Sequence, residues 1–471
     1  MLNDFFHDYV MLLVDPFLFM QLRGVLVDRE EQKTLLAEFT HLRNEAAGRL
    51  EVFSGGRKII AKKTISNKVL AQLLYEDLKL PEQRNSRTGK ITTNKEALIK
   101  LAAKVTDDKQ AAFSDILAVR ELVVLMSTFL EINLDNDGRL RTSYNIAGTE
   151  TGRLSSSTSP WWSGAQMQNW PAQGTEDTPV AIQGCHERVR DIVIADPGKV
   201  FIYADGEQAE ARVVAWLAGD KHLMEIFDSG QDVHKLMASR IFNKPIEEIG
   251  DDSPERYLAK RTIHGAHYGM GKRKFATYSK LPERAAEILL LRYFAEFPTI
   301  KSRFQAGIKM QVEKTRTLTT PFGRRRQFFG RMSEDLVREA YATIPQSTIA
   351  DWLDVGLLRL WRFKQGQFNC PSSSMSKYLS IENTKYVTNR ENLQLNIEPA
   401  IQIHDGLLTQ IPISQLRQAI PAIRECLTYP IIFPNGPLTI PVDIKVGFRW
   451  GKKSLKKPTE EWLVECEKRV A

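Results

Sequence analysis

Apolar residues recur at helical spacings over most of the chain, and strand patterns are few. Leu22, Val25, Leu26, Leu35, Leu36, Phe39, Leu42 and Leu50 predict a largely helical, amphipathic stretch over residues 16–54. A basic loop, GGRKIIAKK (55–63), leads into a short helix, VLAQLLYEDL (69–78), and a turn-rich basic tract, Pro81–Lys95. Helices resume at Glu96–Ala103 and Lys109–Leu130. Thr142–Pro171 is rich in hydroxyls, amides and glycine, with Arg153 in its middle, and offers many donors and few packing residues. Lys199–Asp205, KVFIYAD, is a nearly continuous apolar run: a buried strand that ends in a carboxylate. A helix over Gln208–Leu217 follows, helices fill 221–315, and after a basic turn at Phe322–Arg326 comes a helix over Ser333–Leu360. Lys364–Glu398 is polar and irregular. Ala400–Ile411 reads as a hairpin with Asp405-Gly406 as a type I′ turn pair, and a last strand lies at about Leu438–Val446. A basic tail, GKKSLKK, and a terminal helix close the chain.

Length changes this picture first. A chain of 471 residues is too long for one core and implies two to four lobes. The 42% hydrophobic and 26% charged content is that of a soluble globular protein, and the net charge of +8 permits a polyanionic partner. Cys185, Cys370, Cys426 and Cys466 form no C-x-x-C pair, so they read as reduced thiols of a cytoplasmic protein and exclude a zinc or disulfide framework. The apolar N-terminus carries Asp4, His7, Asp8 and Asp15 and no basic leader, which fits neither a signal peptide nor a membrane span.

Two places carry chemistry. In Asp251–Gly271, Ser253 and Pro254 form a helix start, and Arg256, Lys260, His264 and Tyr268 then recur every four residues. At about 100° per residue, each such step drifts only about 40°, so all four share one side. Two cations, an imidazole and a phenol are wrong for a core and right for a triphosphate with its sugar and base. Gly265, Gly269 and Gly271 would let a backbone or ligand come close. A solvated basic face with a frayed end is the alternative. The second place is the pair Asp205 and Asp405, both at strand ends. If their strands are neighbours, two hard divalent ions about 3.5–4 Å apart would hold the pair ionised and serve phosphoryl transfer. A turn aspartate and a helix-cap aspartate are the plainer reading.

Several stretches together resemble the DNA polymerase I family, the family A DNA polymerases, in that family's order over about residues 20–450. Tyr203-Ala204-Asp205 through Arg212, with Gln208 and Glu210, is similar to its first carboxylate motif, and Gln402–Leu407, with His404 and Asp405, to its second. Arg256, Lys260, Gly265, Tyr268 and Gly269 resemble its fingers helix. Thr151–Ser156 and Gln168-Asn169 resemble its primer-template segment, and Asp232-Val233-His234, Arg338 and Gln346 fall on matching positions.

The resemblance implies an α+β, right-hand fold: a helical thumb with a short lead at 1–140, an antiparallel-sheet palm at 141–218 and 347–471, and helical fingers at 219–346. It implies DNA-directed addition of dNTPs to a primer 3′-hydroxyl, with two Mg²⁺ (Mn²⁺ as substitute) on Asp205 and Asp405. Lys260 would join them in catalysis by protonating the leaving pyrophosphate. Arg256, Lys260, His234, His264, Tyr268, Glu210 and Gln208 would bind the dNTP, Glu210 by excluding a 2′-hydroxyl. Arg153, Gln168, Asn169, Arg338, Gln346, His404 and Tyr268 would contact primer-template DNA.

Three departures stand out: His264 where Phe or Tyr is usual, Gly406 in place of a glutamate, and Ala342 in place of an asparagine. No stretch is left for a 3′→5′ exonuclease or a 5′-nuclease, which implies no proofreading and leaves a separate exonuclease or processivity factor as a partner. No membrane contact is expected. A phage or mobile-element enzyme acting in host cytoplasm fits this organisation. A single-subunit RNA polymerase and a non-catalytic DNA-binding scaffold are the rival readings.

Overall fold

The computed structural model describes residues 5–61, 64–85, 88–159, 163–175, 177–251, 253–279, 281–367, 375–381 and 395–469. Cys370 and most of the polar tract at 364–398 lie outside the described residues. The chain divides into two compact units: Met1–Met20, Tyr144–Ser155 and Tyr203–Ile444 form one, and Gln21–Ser143, Ser156–Ile202 and Lys445–Ala471 the other.

A four-stranded sheet lies in the order Glu398–Ile403, Gly406–Pro412, Lys199–Gly206, Val442–Gly447. The hairpin is antiparallel, with Gln402 opposite Leu407 and Ile403 opposite Gly406. That register corrects the predicted turn. The two loop residues are His404 and Asp405, and His404 takes the left-handed conformation (φ +53°), whereas Gly406 already belongs to the returning strand. The apolar run is a strand as expected, and Val200, Phe201, Ile202 and Ala204 are buried.

The first unit is built around a 31-residue helix, Glu334–Lys364, capped by the Ser333 hydroxyl on the Leu336 N–H. It is buried on nearly every side from Thr343 to Leu360, as a helix surrounded by other elements must be. Its polar groups find partners inside: Trp352 Nε1 donates to the Leu427 carbonyl (2.9 Å), and Arg359 reaches the carbonyls of Cys426, Tyr378 and Ser380. Helices fill most of 209–315, as the apolar spacing predicts.

In the second unit, helices Arg29–Phe53 and Asp107–Leu125 pack together, tied by Arg49 donating to both oxygens of Asp115. The helical stretch expected over 16–54 is interrupted. Gly24, at φ +62°, ends a helix over Val14–Arg23, and Val25–Val27 forms the middle strand of a three-stranded sheet. A side chain at Gly24 would lie 2.8 Å from the Leu140 carbonyl oxygen, so the chain can pass there only as glycine. Trp170, Trp450 and a buried Arg190 stack in the same unit, the guanidinium 4.3 Å above the Trp450 ring. Cys185, Cys426 and Cys466 are buried free thiols. Among the described residues, no helix is long and apolar enough to cross a membrane.

Candidate active site

The two strand-end aspartates meet through the backbone. The Gly206 N–H donates to the Asp405 carbonyl oxygen (3.1 Å), which locks the residue after Asp205 to Asp405 itself. Both neighbouring loops carry left-handed, non-glycine residues: Gln208 (φ +52°) next to Asp205, and His404 next to Asp405. Such conformations cost of order 1–3 kcal/mol and concentrate at functional sites. The Gln208 side-chain oxygen is also buried without a hydrogen-bond donor. Burial pushes the Asp405 carboxyl above the usual carboxylate range; Glu210 pushes the same way, while Arg153 and Lys260 oppose it.

Glu210, in the first turn of helix Ala209–Ala218, is held from both sides: Arg153 pairs with one carboxylate oxygen, and the Tyr268 hydroxyl donates to the other. Burial and the Glu210 charge raise the Tyr268 phenol well above its ordinary value. Arg212 has a different task. It is buried over the Phe227 ring and donates to the carbonyls of Glu207 and Phe227, which fixes the loop after Asp205.

The helix that Ser253 and Pro254 begin runs over Pro254–His267, with the Ser253 hydroxyl accepting from the Arg256 N–H. Tyr268 is its C-cap, and Gly269 follows at φ +67°. The three glycines, expected to let a backbone or ligand come close, differ, and at two of them it is protein side chains that approach. A side chain at Gly269 would meet Tyr341 at 3.0 Å, one at Gly265 would touch Met270 and Phe275, and only Gly271 faces open space. The two cations also differ. Arg256 donates to Asp232 (2.8 Å) and to the Asp251 carbonyl, so protein already supplies its anion. Lys260 is exposed and makes no hydrogen bond or ion pair with the described residues. The His234 and His264 rings lie 6.2 Å apart, and burial lowers both imidazoles, with Lys260 adding to the effect. Both are therefore neutral hydrogen-bonding groups at pH 7.

Arg338 and Gln346 sit on the long helix. Arg338 pairs with Asp335 (2.8 Å) and Glu334, and its Cγ is 3.7 Å from where a Gly269 side chain would start. Gln168 and Asn169 belong to the second unit, in a short turn at Met167–Asn169 where the Asn169 amide donates to Gln166. Sequence reasoning gave no role to two residues: Asp232, which caps helix Val233–Phe242 while it holds Arg256, and Tyr203, whose hydroxyl donates to Asp205 Oδ1 (3.0 Å). The signal for Tyr203 was the strand period, since residues i and i+2 share a face.

The chain as a whole is similar to known proteins. DNA polymerase family A matches residues 36–452, and the chain belongs to that family. It is 25% identical to DNA polymerase I of Chloroflexus aurantiacus, over 96% of this chain and 44% of that protein. It is 27% identical to the thermostable DNA polymerase I of Thermus aquaticus, over 80% of this chain and 40% of that protein. The chain thus spans less than half the length of these relatives. The POL domain of Pol1 from M. smegmatis, solved with DNA primer-template and dNTP, has a TM-score of 0.76 over 95% of this chain and 71% of that one, at 24% identity. That likeness gives the chain the right-hand polymerase fold, with mixed helix and antiparallel sheet.

Proposed function

We propose that the chain is a template-directed DNA polymerase that adds dNTPs to a primer 3′-hydroxyl and releases pyrophosphate. The observation that carries the reading is the junction of Asp205 and Asp405 through the Gly206–Asp405 backbone bond, in the same unit as the cationic side of helix Pro254–His267. Membership of DNA polymerase family A supports it.

Divalent ions fit the donor set. Among the described residues, no group of three or more His, Cys, Asp or Glu side chains could hold a metal. Two carboxylates with a neighbouring backbone carbonyl suit Mg²⁺, which leaves its other positions to water and substrate phosphate. Bound on Asp205 and Asp405, Mg²⁺, or Mn²⁺ in its place, would supply Lewis-acid stabilisation of the attacking and leaving oxygens.

The chain's own residues do the rest. Lys260, having no protein anion, grips the triphosphate and delivers a proton to the pyrophosphate oxygen as it leaves. Arg256 adds charge from one turn away, and neutral His234 and His264 donate to phosphate and sugar. Glu210, fixed by Arg153 and Tyr268, occupies the place a 2′-hydroxyl would need, while Gln208 backs the site and Tyr268 presents its ring to the templating base. Arg153, Gln168, Asn169, Arg338, Gln346 and His404 touch primer-template DNA, chiefly the minor-groove acceptors common to all base pairs. The reading includes no 3′→5′ proofreading by these residues, and the likeness of 95% of the chain to a POL domain supports it.

Primer extension with Mg²⁺ tests the reading. Extension by dNTPs, none by NTPs and no trimming of a mismatched 3′ end are expected. NTP extension would make the chain an RNA polymerase, and trimming would overturn the absence of proofreading.

A further inference from the structure

At Gly406 the first atom of any side chain would lie 2.1 Å from the Tyr203 hydroxyl oxygen, 2.6 Å from Cζ and 2.8 Å from Cε2. The glycine is not there for its backbone, because Gly406 lies in a strand and outside the left-handed region. The phenol fills the space in which a residue 406 side chain would begin. From that position the hydroxyl donates to Asp205 Oδ1 at 3.0 Å, two residues further along the same strand. Tyr203 and Asp205 are both half-buried and share one face of the strand, whereas Ala204 between them is buried.

We propose that Tyr203 is a positioning residue for the reaction. Its hydroxyl fixes the Asp205 carboxylate in the orientation that receives the divalent ion, and Gly406 is the gap that lets the ring reach it. The resemblance noted above places a glutamate at the position of Gly406. In this chain a phenol from the neighbouring strand takes that volume and points its hydroxyl at the first carboxylate. The two residues are thus one unit of function, split across two strands that run side by side in the sheet.

A carboxylate that accepts from a fixed phenol loses rotational freedom, so its second oxygen would be held in one orientation for an ion. Removing the hydroxyl leaves the ring packing intact and takes away this hold on Oδ1. Adding a side chain at 406 pushes the ring aside and has the same consequence by another route. The two changes therefore converge on one defect, which a merely structural role for either residue would not produce.

The inference rests on the reading of Asp205 as a metal ligand, so the experiment separates the two. Single-nucleotide incorporation is measured for the wild type, Asp205→Asn, Tyr203→Phe, Gly406→Ala, Gly406→Glu and the double change Tyr203→Ser with Gly406→Glu. Mn²⁺ affinity is measured on each by electron paramagnetic resonance, with dideoxy-terminated primer-template and the next dNTP bound. For Tyr203→Phe and for Gly406→Ala we expect a fall of about 10-fold in kcat, the size of one hydrogen bond to a charged group, with the dNTP KM within about twofold. Mn²⁺ affinity should weaken in both, with the melting temperature of Tyr203→Phe unchanged. The double variant should be more active than Gly406→Glu alone, because removing the ring makes room for the new side chain. Wild-type kcat and Mn²⁺ affinity in Tyr203→Phe, with Asp205→Asn inactive, would overturn this inference and leave the polymerase reading intact. If wild type and Asp205→Asn incorporate equally, the metal-ligand reading itself falls, and this inference with it.

Discussion

The first unit holds two clusters of carboxylates, and they are managed in opposite ways. Around the long helix, Asp351 is completely buried and fully answered: Arg324 donates twice to Oδ1 (2.9 and 2.7 Å), Tyr9 donates to the same oxygen (3.1 Å), and Thr320 lies at 3.4 Å from the other. Asp354, one turn on, accepts from Gln402 (2.7 Å). At the strand ends, by contrast, Asp405 has Glu210 as an electrostatic opponent, while Arg153 is committed to Glu210 and Lys260 stays exposed and unpaired among the described residues. A carboxylate whose charge is balanced within the protein stabilises a core. One beside an exposed lysine that has no partner of its own is arranged for a charged ligand.

The comparison breaks most sharply at Asp205. Asp205→Ala should lower incorporation on the order of 10³-fold or more, since it removes a group on which transition-state charge depends, and it should leave the unfolding midpoint within experimental error. Next comes Lys260→Ala, with a fall of about 10²-fold in kcat, the lower end of general acid catalysis, measured by pre-steady-state incorporation. Arg324→Met should do the reverse. It strands the buried Asp351 charge, so urea unfolding should record a loss of about 3–5 kcal/mol, with incorporation per folded molecule unchanged.

The smallest effect is the pH dependence of Asp354, whose carboxyl burial raises from 3.8 to about 7. Because the folded value lies above the unfolded one, its contribution to stability is complete below about pH 4 and is lost as pH rises through about 7. Between pH 6 and 8 the protein should lose about 1.4 kcal/mol from this group. Asp354→Asn, which keeps the oxygen that Gln402 bonds, should flatten that slope. An unchanged slope in the variant would mean that Asp354 is ionised in the fold.

The proposed catalytic layout is legible in the sequence where its residues are contiguous. Asp205, Glu210 and Arg212 fall within eight positions, Arg256 to Tyr268 within thirteen, and a strand run or a helix period places each set. What escaped depends on partners distant in sequence. The Phe322–Arg326 turn looks like a basic surface, yet Arg324 is turned inward to an aspartate 27 residues away, and Arg326 pairs with Glu150 and Glu339. The hairpin turn was misplaced by one residue because Asp-Gly is a strong local preference. The actual reason for Gly406, a phenol from the adjacent strand, has no local trace. Three-residue Val25–Val27 is too short for a period of two to stand out against helical neighbours.

The most direct test of the central claim is single-turnover addition of one dNTP by wild type and Asp405→Ala, with primer-template affinity measured on the same samples. The variant should bind primer-template as the wild type does and add no nucleotide. Addition by the variant at the wild-type rate would contradict the claim. So would a wild type that binds primer-template tightly and adds nothing, which would make the fold a DNA-binding scaffold.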